Sequence, residues 1–444
     1  TGSSNTAVGR RALEANTTAN NNTAVGRDAL TANTTGAQNT AVGAYTADAI
    51  TTGVYNTAIG EQSMRGVTTG SNNTALGKSA LQTSTANDNT AVGYNALNAN
   101  TTGGHNVGVG ASALAANTTA NANTAVGYLA AASNTTGSAN CAFGKDALYT
   151  NSTGANNTSI GQGTLYYNTG DDNTAVGRNA LAANTTGNDN SAVGKESLTS
   201  TTTGVFNSAL GSGSLYSNTT GDRNTAVGVN ALYSNTTADN NTGVGGNALG
   251  SNTTGAGNVA LGREALNANT TASNNVAVGY QALYANTTGH SNIAIGQGTL
   301  DANTTGHYNT AVGRIALSAN TTADENTAVG YNALNANTTG SGNVAVGNDA
   351  LKVNTTGATN TAVGRRALDA NTGGSYNIAM GNSALDENTT GSSNTALGTQ
   401  ALQMSTTGQY NTAVGHKALD ANTTGDNNTA VGYNALTTVT TTSG

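Results

Sequence analysis

The chain has 444 residues but contains no Pro, no Trp, two Phe and only 8% charged residues. It is too poor in large apolar side chains to fill the thick core of a globular protein of this length. The formal net charge is −7, and the 15 Lys and Arg, spread along the chain, predict no basic stripe for nucleic acid. No run of about 18 apolar residues occurs, so we expect no membrane insertion. Cys141 is the only cysteine, which excludes an intrachain disulfide framework.

One pentapeptide, Asn-Thr-Ala-Val-Gly, organises the whole sequence. It occurs with substitutions 26 times, from residues 5–9 to residues 428–432, and its closing glycines lie 17 residues apart. The interval is 16 only from Gly77 to Gly93 and from Gly161 to Gly177. A fixed short period is typical of solenoids, and its strict phasing argues against disorder, which the abundance of Gly, Ser, Thr and Asn would otherwise favour. We therefore predict an all-β fold: one parallel β-solenoid (β-roll) domain of about 26 coils over residues 1–444, a segment of a longer fibrous protein.

Each repeat has 17 positions, counted from its Asn. Position one is Asn and position five is Gly in every copy, position two is Thr, Ser, Cys, Val or Ile, and position four is Val, Ile, Leu, Phe or Met. This alternation indicates a short strand over positions two to four, with two and four on one face and three on the other. Exchange of Thr for Val or Ile at position two predicts that two and four face the interior. Position three is Ala, Gly or Ser, which predicts close contact with another surface on the opposite face.

The second half of the unit, Ala-Leu-x-Ala-Asn at positions eight to twelve, is expected to form the other strand of each coil, because it is too short for a helix. Leu at nine and Ala at eleven are predicted to point inward, and position ten, which accepts Glu14, Tyr149 and Lys352, to face water. Glycines at five and fifteen mark turns. Position fifteen is sometimes Ala, as at Ala19 and Ala120, so a positive φ is not required in every coil there, whereas position five is predicted to be stricter.

Two columns of Asn are expected along the stack. The Asn at position one predicts a ladder of side-chain amides that bond to the coils above and below, and a partial ladder is expected at position twelve. We expect both to satisfy turn backbone groups and to keep register. The two 16-residue copies are interpreted as one-residue deletions in the Asn-Thr-Thr-Gly turn, and Ile50 and Val67 at position twelve predict a local irregularity.

The interior of a single coil offers little apolar surface to bury. Val, Leu, Thr and Ala are its predicted contents, too few to offset the conformational entropy lost when the unit is ordered. Hydrogen bonds between coils must contribute, and a further buried face is expected. The Ala column at position three is the predicted candidate, which favours several chains side by side.

The pentapeptide, for example at residues 89–93 and 326–330, resembles the head repeats of YadA-type trimeric autotransporter adhesins, with their Asn-Ser-Val-Ala-Ile-Gly core. It is also similar to repetitive shaft regions of phage tail-fibre and tail-spike proteins. The resemblance implies a left-handed parallel β-roll, assembled as a trimer, that serves adhesion or display at an extracellular cell or virion surface. The adhesin repeat is shorter, and its second half is Ser-x-Ala-x-Gly.

No catalytic, cofactor-binding or metal-binding residue is predicted, and we expect the protein not to be an enzyme. Catalysis requires a few groups held in one constellation, whereas the four histidines are scattered: His105, His290, His307 and His416. Asp171 and Asp172 are adjacent but lie in a predicted solvated turn. The run from Gly77 to Ser79 matches only three letters of a phosphate loop. The Asn-Thr-Thr turns match the glycosylation sequon, as at Asn16, for which the turn explanation suffices. Attachment of sugars to the Thr hydroxyls of these turns stays open.

Three functional hypotheses remain open. The first is a non-catalytic fibre or adhesin shaft, a homo-trimer that attaches to a cell-surface receptor or glycan. The second is an ice-binding β-solenoid that uses a regular Thr array such as Thr17 and its equivalents, although Thr17 and Thr18 should point to different sides. The third is an extracellular filament built by end-to-end stacking, because the terminal copies show no obvious capping sequence.

Overall fold

The computed structural model describes residues 2–438, 440 and 441, and the chain divides into two compact units, Thr1–Asp222 and Arg223–Gly444. Each unit is a parallel β-solenoid in which every coil takes about 17 residues and contributes one strand. The strands cover positions two to four of the repeat, as predicted. The expected fold class, an all-β parallel solenoid with this period, is therefore confirmed within each unit.

Every strand is three residues long. The strands of the first unit are β1 (Thr6–Val8), β2 (Thr23–Val25), β3 (Thr40–Val42), β4 (Thr57–Ile59), β5 (Thr74–Leu76), β6 (Thr90–Val92), β7 (Val107–Val109), β8 (Thr124–Val126), β9 (Cys141–Phe143), β10 (Thr158–Ile160), β11 (Thr174–Val176), β12 (Ser191–Val193) and β13 (Ser208–Leu210). Those of the second unit are β14 (Thr225–Val227), β15 (Thr242–Val244), β16 (Val259–Leu261), β17 (Val276–Val278), β18 (Ile293–Ile295), β19 (Thr310–Val312), β20 (Thr327–Val329), β21 (Val344–Val346), β22 (Thr361–Val363), β23 (Ile378–Met380), β24 (Thr395–Leu397), β25 (Thr412–Val414) and β26 (Thr429–Val431).

Within each unit the strands pair in parallel, each residue opposite the same repeat position of the next coil. Thr23 pairs with Thr40, for example. The shortened repeats keep this register, because Thr74 pairs with Thr90 across a 16-residue interval. The loss is absorbed in the turn, where Thr85 alone replaces the usual Thr pair. The predicted site of the deletion is confirmed.

The second predicted strand is wrong. Positions six to eleven form consecutive turns in the described coils, and positions seven and nine adopt the left-handed conformation, as in Arg11 (φ 58°) and Leu13 (φ 53°). A β-strand requires negative φ throughout, so two left-handed residues within three positions exclude it. The segment still bonds to the adjacent coil, because the Leu13 amide donates to the Ala29 carbonyl at 3.1 Å. A buried Leu between small residues fits a short strand or a turn equally well, which is why the pattern misled.

The predicted assignment of the two strand faces is also wrong. In every strand after β1 the middle residue is buried, whereas positions two and four are half-exposed or exposed. The cause is the narrowness of the coil. A Cβ added to Gly108, at position three, would lie 3.3 Å from Cγ of Leu97 in the preceding coil. The interior therefore has room for a methyl group or a Ser at this position, but not for a Val.

The core of each coil consists of positions three, eight and nine. Leu at nine is fully buried, as predicted, for example Leu30 and Leu97. Ala at eleven is not inside: Ala99 is half-exposed, and Ala96 at position eight is the fully buried residue instead. Strict alternation holds only for an extended chain, and the left-handed Leu interrupts it. Position ten is half-exposed in most coils, although Asp386 is only 3% exposed.

Both predicted Asn ladders are confirmed by hydrogen bonds. At position one the backbone N–H of Asn39 donates to Oδ1 of Asn22 at 2.9 Å, and Nδ2 of Asn56 donates to Oδ1 of Asn39 at 3.0 Å. At position twelve Nδ2 of Asn33 donates to Oδ1 of Asn16 at 3.2 Å. The two ladders meet within each coil. Nδ2 of Asn22 and Nδ2 of Asn33 both donate to the carbonyl of Gly36, at 3.0 and 2.9 Å. Each coil is thus closed by buried amides that also bond to the next coil, which fixes register.

Position five admits only glycine, for two reasons. Gly194 has φ 137°, and a Cβ built there would lie 2.5 Å from the carbonyl oxygen of Gly211 in the next coil. Side chains rarely adopt that φ, and the backbone contact leaves no room for one. Position fifteen, by contrast, shows no positive φ at Gly36 or its equivalents in the described coils. The predicted difference between the two glycine positions is confirmed.

Candidate interaction surface

The outer side of the sheet in each unit carries two columns of side chains, from positions two and four of its strands. These columns form what we term the outer sheet face. Position four is apolar in every copy, and its larger members are well exposed: Leu210 51%, Met380 45% and Phe143 40%. At position two, Val259 and Ile293 are 38% and 39% exposed. An exposed apolar surface that continues from coil to coil marks a site of interaction rather than ordinary surface.

A signal for this face was present in the sequence. Position four ranges in volume from Val to Phe143 and Met380, whereas position three accepts only Ala, Gly and Ser. A closely packed interior does not tolerate such a range of volume, because even one added methylene strains it. The size-variable column is therefore the open one, and the uniformly small column is the enclosed one.

Exposed aromatic residues border the outer sheet face on both sides. Five lie at position six, just after the strand and its glycine, and five at position seventeen, just before the next Asn. They are Tyr94, Tyr128, Tyr280, Tyr331 and Tyr433 at position six and Tyr55, Phe206, Tyr308, Tyr376 and Tyr410 at position seventeen. Their exposure ranges from 41% to 75%. Aromatic residues are enriched where proteins bind one another.

The two borders carry opposite charge. The trailing border, positions six and seven, holds 12 of the 15 Lys and Arg but only six carboxylates. The leading border, positions sixteen and seventeen, holds nine of the 22 carboxylates and one cation, Arg223. The same asymmetry exists in each unit. Most of the Lys and Arg residues that are spread along the sequence are thus gathered on one border by the coil period.

Exposed ion pairs hold the cations of the trailing border in place. Arg178 Nη2 lies 2.9 Å from Glu196 Oε1, and Lys195 Nζ lies 3.7 Å from the same oxygen. Arg27 stacks on Tyr45, with 4.2 Å from Cζ to the ring centroid. Exposed ion pairs of this kind contribute at most about 1 kcal/mol each, so they arrange the border more than they stabilise the fold.

The leading border is ordered by side chains that accept hydrogen bonds from the coil before. Asp171 Oδ1 accepts from the Ala155 amide at 2.7 Å. His307 Nδ1 accepts from the His290 amide at 3.0 Å, and the His307 amide donates to Asp324 Oδ1 at 2.7 Å. The carboxylates at position sixteen therefore stand in defined places along the border.

The histidines are less scattered than the sequence reading suggested. His290 and His307 are 17 residues apart, so they occupy adjacent coils, and their rings stack at 4.0 Å between centroids. His105 Nδ1 lies 3.9 Å from Asp88, and His416 stacks on Tyr433 at 5.3 Å. Counting in steps of the period would have found the pair. Across the part of the chain that the structure describes, no three His, Cys, Asp or Glu side chains are grouped so that they could hold a metal ion.

The other residues weighed for chemistry lie apart from one another. Asp171 and Asp172 are exposed in their turn. Gly77 has φ 131° and directly follows β5, and Lys78 Nζ lies 3.2 Å from Glu61 Oε2. That lysine follows a strand and enters a turn, whereas a phosphate loop leads into a helix.

Three carboxylates at position ten are partly or fully removed from water. Burial raises the pKa of Asp301, and burial raises that of Asp48 although Arg65 opposes the change from 3.7 Å. Asp386 shows the same balance: burial raises its pKa, and Arg366, 3.3 Å away, works in the opposite direction. Asp48 and Arg65 line a shallow open groove beside the coils in which Ile50 and Val67 replace Asn. They form a pair of opposite charges rather than a pair of acids.

The turn threonines and asparagines are occupied within the stack. The Thr17 hydroxyl donates to the Thr34 carbonyl at 3.1 Å, and the equivalents in most coils do the same. The sequon Asn residues after the first coil, such as Asn33 and Asn117, are fully buried. The turn explanation of the sequon is therefore confirmed for these buried copies, because their amide nitrogens already donate inside the coil.

No helix in the described residues is long and apolar enough to cross a membrane. No protein-family model matches the chain. A search of curated proteins finds no significant match either.

Proposed function

We propose that the chain is a non-catalytic structural segment, the shaft of a fibre or adhesin, in which copies of the chain cover one another's outer sheet face. The assembly is a homo-trimer with left-handed coils at an extracellular cell or virion surface, and its role is attachment to a receptor or glycan. The trimer, the handedness and the location follow the resemblance to adhesin and tail-fibre repeats. The Ala column, which the sequence predicted to pack against other chains, is internal, so the contact between chains uses positions two and four.

One observation carries the proposal: an apolar column, half-exposed or more, that recurs in every coil. A monomer would leave Leu210, Ile295 and Met380 in water together with their neighbours in the column. Each apolar side chain buried in full contributes roughly 1.5–3 kcal/mol relative to exposure, so coverage of half-exposed columns favours assembly by whatever remains after the entropy cost of association. The aromatic borders add residues that favour association. Uniform repetition without one distinctive constellation suits a shaft better than an enzyme.

The mass of the native protein in solution tests the proposal. Light scattering after size exclusion should give three times the chain mass, at micromolar concentration and moderate salt. The double variant Val193→Asp/Leu210→Asp should fall to the mass of one chain while it keeps the far-ultraviolet circular dichroism of the parent, because both side chains point outward. A native mass equal to one chain would refute the proposal.

A matched control separates the outer sheet face from charge in general. Thr203 and Thr220 lie in equivalent turns of adjacent coils in the same region, and both are exposed. The double variant Thr203→Asp/Thr220→Asp adds the same charge away from the face and should leave the assembly intact. Dissociation by Thr203→Asp/Thr220→Asp to the same extent would show that added charge, and not its place on the face, controls the mass.

Ice binding is a second candidate, but the Thr array that would contact ice is not the one predicted from the sequence. The Thr17 column donates its hydroxyls within the chain, whereas the outer sheet face presents Thr at position two in most coils, at the regular spacing of strands. Val, Ile, Ser and Cys interrupt that column in nine copies. Thermal hysteresis in the native protein would favour this candidate, and its absence there would remove it.

An end-to-end stacked filament is the third candidate, and it stays a prediction. It differs from a shaft in the distribution of lengths. Electron micrographs of the purified chain would show one length for a shaft and an open range of lengths for a filament.

A further inference from the structure

The opposite charges of the two borders specify how copies of the chain can face one another. In the first unit the trailing border has seven Lys and Arg and four carboxylates, and the leading border has five carboxylates and no Lys or Arg. In the second unit the trailing border has five cations against two carboxylates, and the leading border has four carboxylates against Arg223. Each strand thus runs from an acidic border to a basic one, with the apolar columns between them.

Two arrangements would cover the outer sheet face, and they differ in which borders meet. If neighbouring copies are related by rotation about an axis parallel to the coil stack, the strand directions oppose across the contact, so the basic border of one copy meets the acidic border of the next. If one copy is turned end over end, about an axis along the strands, acid meets acid and base meets base. Juxtaposed like charges oppose association and select against the wrong partner orientation.

A pure rotation about the axis parallel to the coil stack does not shift a copy along that stack, so each coil faces the same coil of the neighbouring copy. The coils of β11 and β12 then present complementary charges to their counterparts in the neighbouring copy. Asp172 precedes the strand β11 and Arg178 follows it, and Asp189 and Lys195 flank β12 in the same way. All four side chains are exposed. Arg178 of one copy would face Asp172 of the next, and Lys195 would face Asp189.

The contacts within one chain leave these charges available. Arg178 and Lys195 share a single carboxylate, Glu196, and their side chains remain 53% and 56% exposed. A positive charge therefore persists on this part of the trailing border. Exposed pairs are weak and exchange partners readily, so a carboxylate from a neighbouring copy can compete for either cation.

We propose that copies of this chain associate side by side in the same direction and the same coil register, with the basic trailing border of each copy against the acidic leading border of the next. Closed rings of heterologous contacts of this kind satisfy every border of every copy. The inference rests on the proposed homo-oligomeric function, and it adds orientation, register and the residues that specify them.

A charge swap tests the proposal. One variant reverses the trailing border, Arg178→Asp/Lys195→Asp. A second reverses the leading border, Asp172→Lys/Asp189→Lys, which leaves Asp171 to accept from the Ala155 amide. A third combines all four changes. Asp172 and Asp189 have φ 58° and 57°, and Arg223 occupies the equivalent position with φ 55°, so the backbone there accommodates a long cationic side chain.

Each single-border variant should raise the dissociation constant of the assembly at least about tenfold at low salt, because two pairs become repulsive in every contact. The combined variant should return to within about threefold of the parent, and salt near 1 M should reduce all the differences by screening. Sedimentation at several concentrations measures the constant, and circular dichroism verifies that each variant is folded.

The outcomes separate the inference from the function on which it rests. A native protein that sediments as one chain refutes the proposed function, and the inference falls with it. A native oligomer whose dissociation constant is unchanged by either single-border variant refutes the inference alone, because an end-over-end arrangement or a shifted register would not place these charges together. A folded combined variant that stays dissociated refutes it as well.

Discussion

Ala192 and Val193 are neighbours in β12, yet their side chains occupy opposite environments. Ala192 is fully buried, whereas Val193 is 38% exposed. At the inner position the size of the side chain is limited by the Leu on the other wall of the coil. At the outer position no residue of the same chain limits the size of the side chain. Function and stability are therefore separated by a single step along the strand: position three serves the fold, and positions two and four are free to serve contact with other molecules.

The largest loss of stability is expected when the inner residue of the strand, at position three, is enlarged. Ala192→Leu would place a branched side chain where a Cβ alone already approaches the opposite Leu, as at Gly108. Overpacking of a rigid interior typically costs about 1–3 kcal/mol, and so tight a site places Ala192→Leu at the upper end of that range. The midpoint of urea unfolding, followed by circular dichroism, should fall accordingly.

Val193→Leu is the matched control, because it enlarges the outer residue of the same strand. Its midpoint should differ from that of the parent by less than the equivalent of about 0.5 kcal/mol, as for other surface substitutions. Both variants are best compared in a Val176→Asp/Leu210→Asp background, which places two acids on the same face and leaves position 193 free to vary, so that assembly does not contribute. If Val193→Leu were the more damaging change, the assignment of the two faces would be wrong.

A somewhat smaller loss in the free energy of unfolding is expected when one Asn of the position-one ladder is removed. Oδ1 of Asn190 accepts from the backbone N–H of Asn207 at 3.0 Å, Nδ2 of Asn190 donates to the Gly204 carbonyl at 2.8 Å, and all of these groups are buried. Asn190→Ala leaves a buried donor and a buried acceptor without partners, which costs about 2 kcal/mol.

Asn188 provides the comparison for that rung. Its Oδ1 accepts from the Asp171 amide at 2.8 Å, but this bond lies at the surface, where water can replace it. Asn188→Ala should therefore lower the free energy of unfolding by less than half as much as Asn190→Ala does. Equal unfolding midpoints for Asn188→Ala and Asn190→Ala would contradict the separation of inside from outside.

The smallest change in stability is expected at position ten, which is half-exposed and so lies between the buried interior and the outer surface. Burial raises the pKa of Asp301, so the charged carboxylate is disfavoured in the fold. The sign follows: this residue contributes stability that is present below its unfolded pKa, about 3.9, and is lost as pH rises through the higher folded pKa. Asp301→Asn should remove that part of the pH dependence.

Urea midpoints of the parent and of Asp301→Asn between pH 3 and pH 7 measure this effect, because the other carboxylates cancel in the difference. The advantage of the variant over the parent should be larger at pH 7 than at pH 3. Parallel curves would show that Asp301 is as well solvated in the fold as in the unfolded chain.

The sequence was sufficient to predict whatever depends on the period. The strands at positions two to four, the Asn ladders, the strict glycine and the place of the deletion near Thr85 all repeat, so their stacking follows from counting. Local backbone conformation was not predictable in the same way. The segment Ala-Leu-x-Ala does not indicate that Leu13 adopts φ 53°. Bulky residues rarely adopt a positive φ, and only the surrounding packing enforces this conformation.

The candidate surface was hidden for a related reason. Thr and Val exchange readily on any pleated, partly covered surface, so the swaps at position two did not distinguish inside from outside. The range of sizes at position four, up to Phe143, carried that information. The charged borders required one further step, because Arg178 and Lys195 join a column only when residues are compared across coils.

Thiol labelling of adjacent residues in β9 tests the central claim most directly, namely that position three is enclosed and position two lies on a face that other copies cover. Cys141 occupies position two and is half-exposed, and Ala142→Cys in a Cys141→Ser background moves the thiol to position three, where Ser159 shows that a side chain of this size fits. Cys141 should react with a maleimide in the dissociated Val193→Asp/Leu210→Asp protein and be protected in the native assembly, whereas Cys at position 142 should react in neither until the chain unfolds. Reaction at position 142 in the folded protein, or equal reactivity of Cys141 in the assembled and dissociated states, would contradict the account.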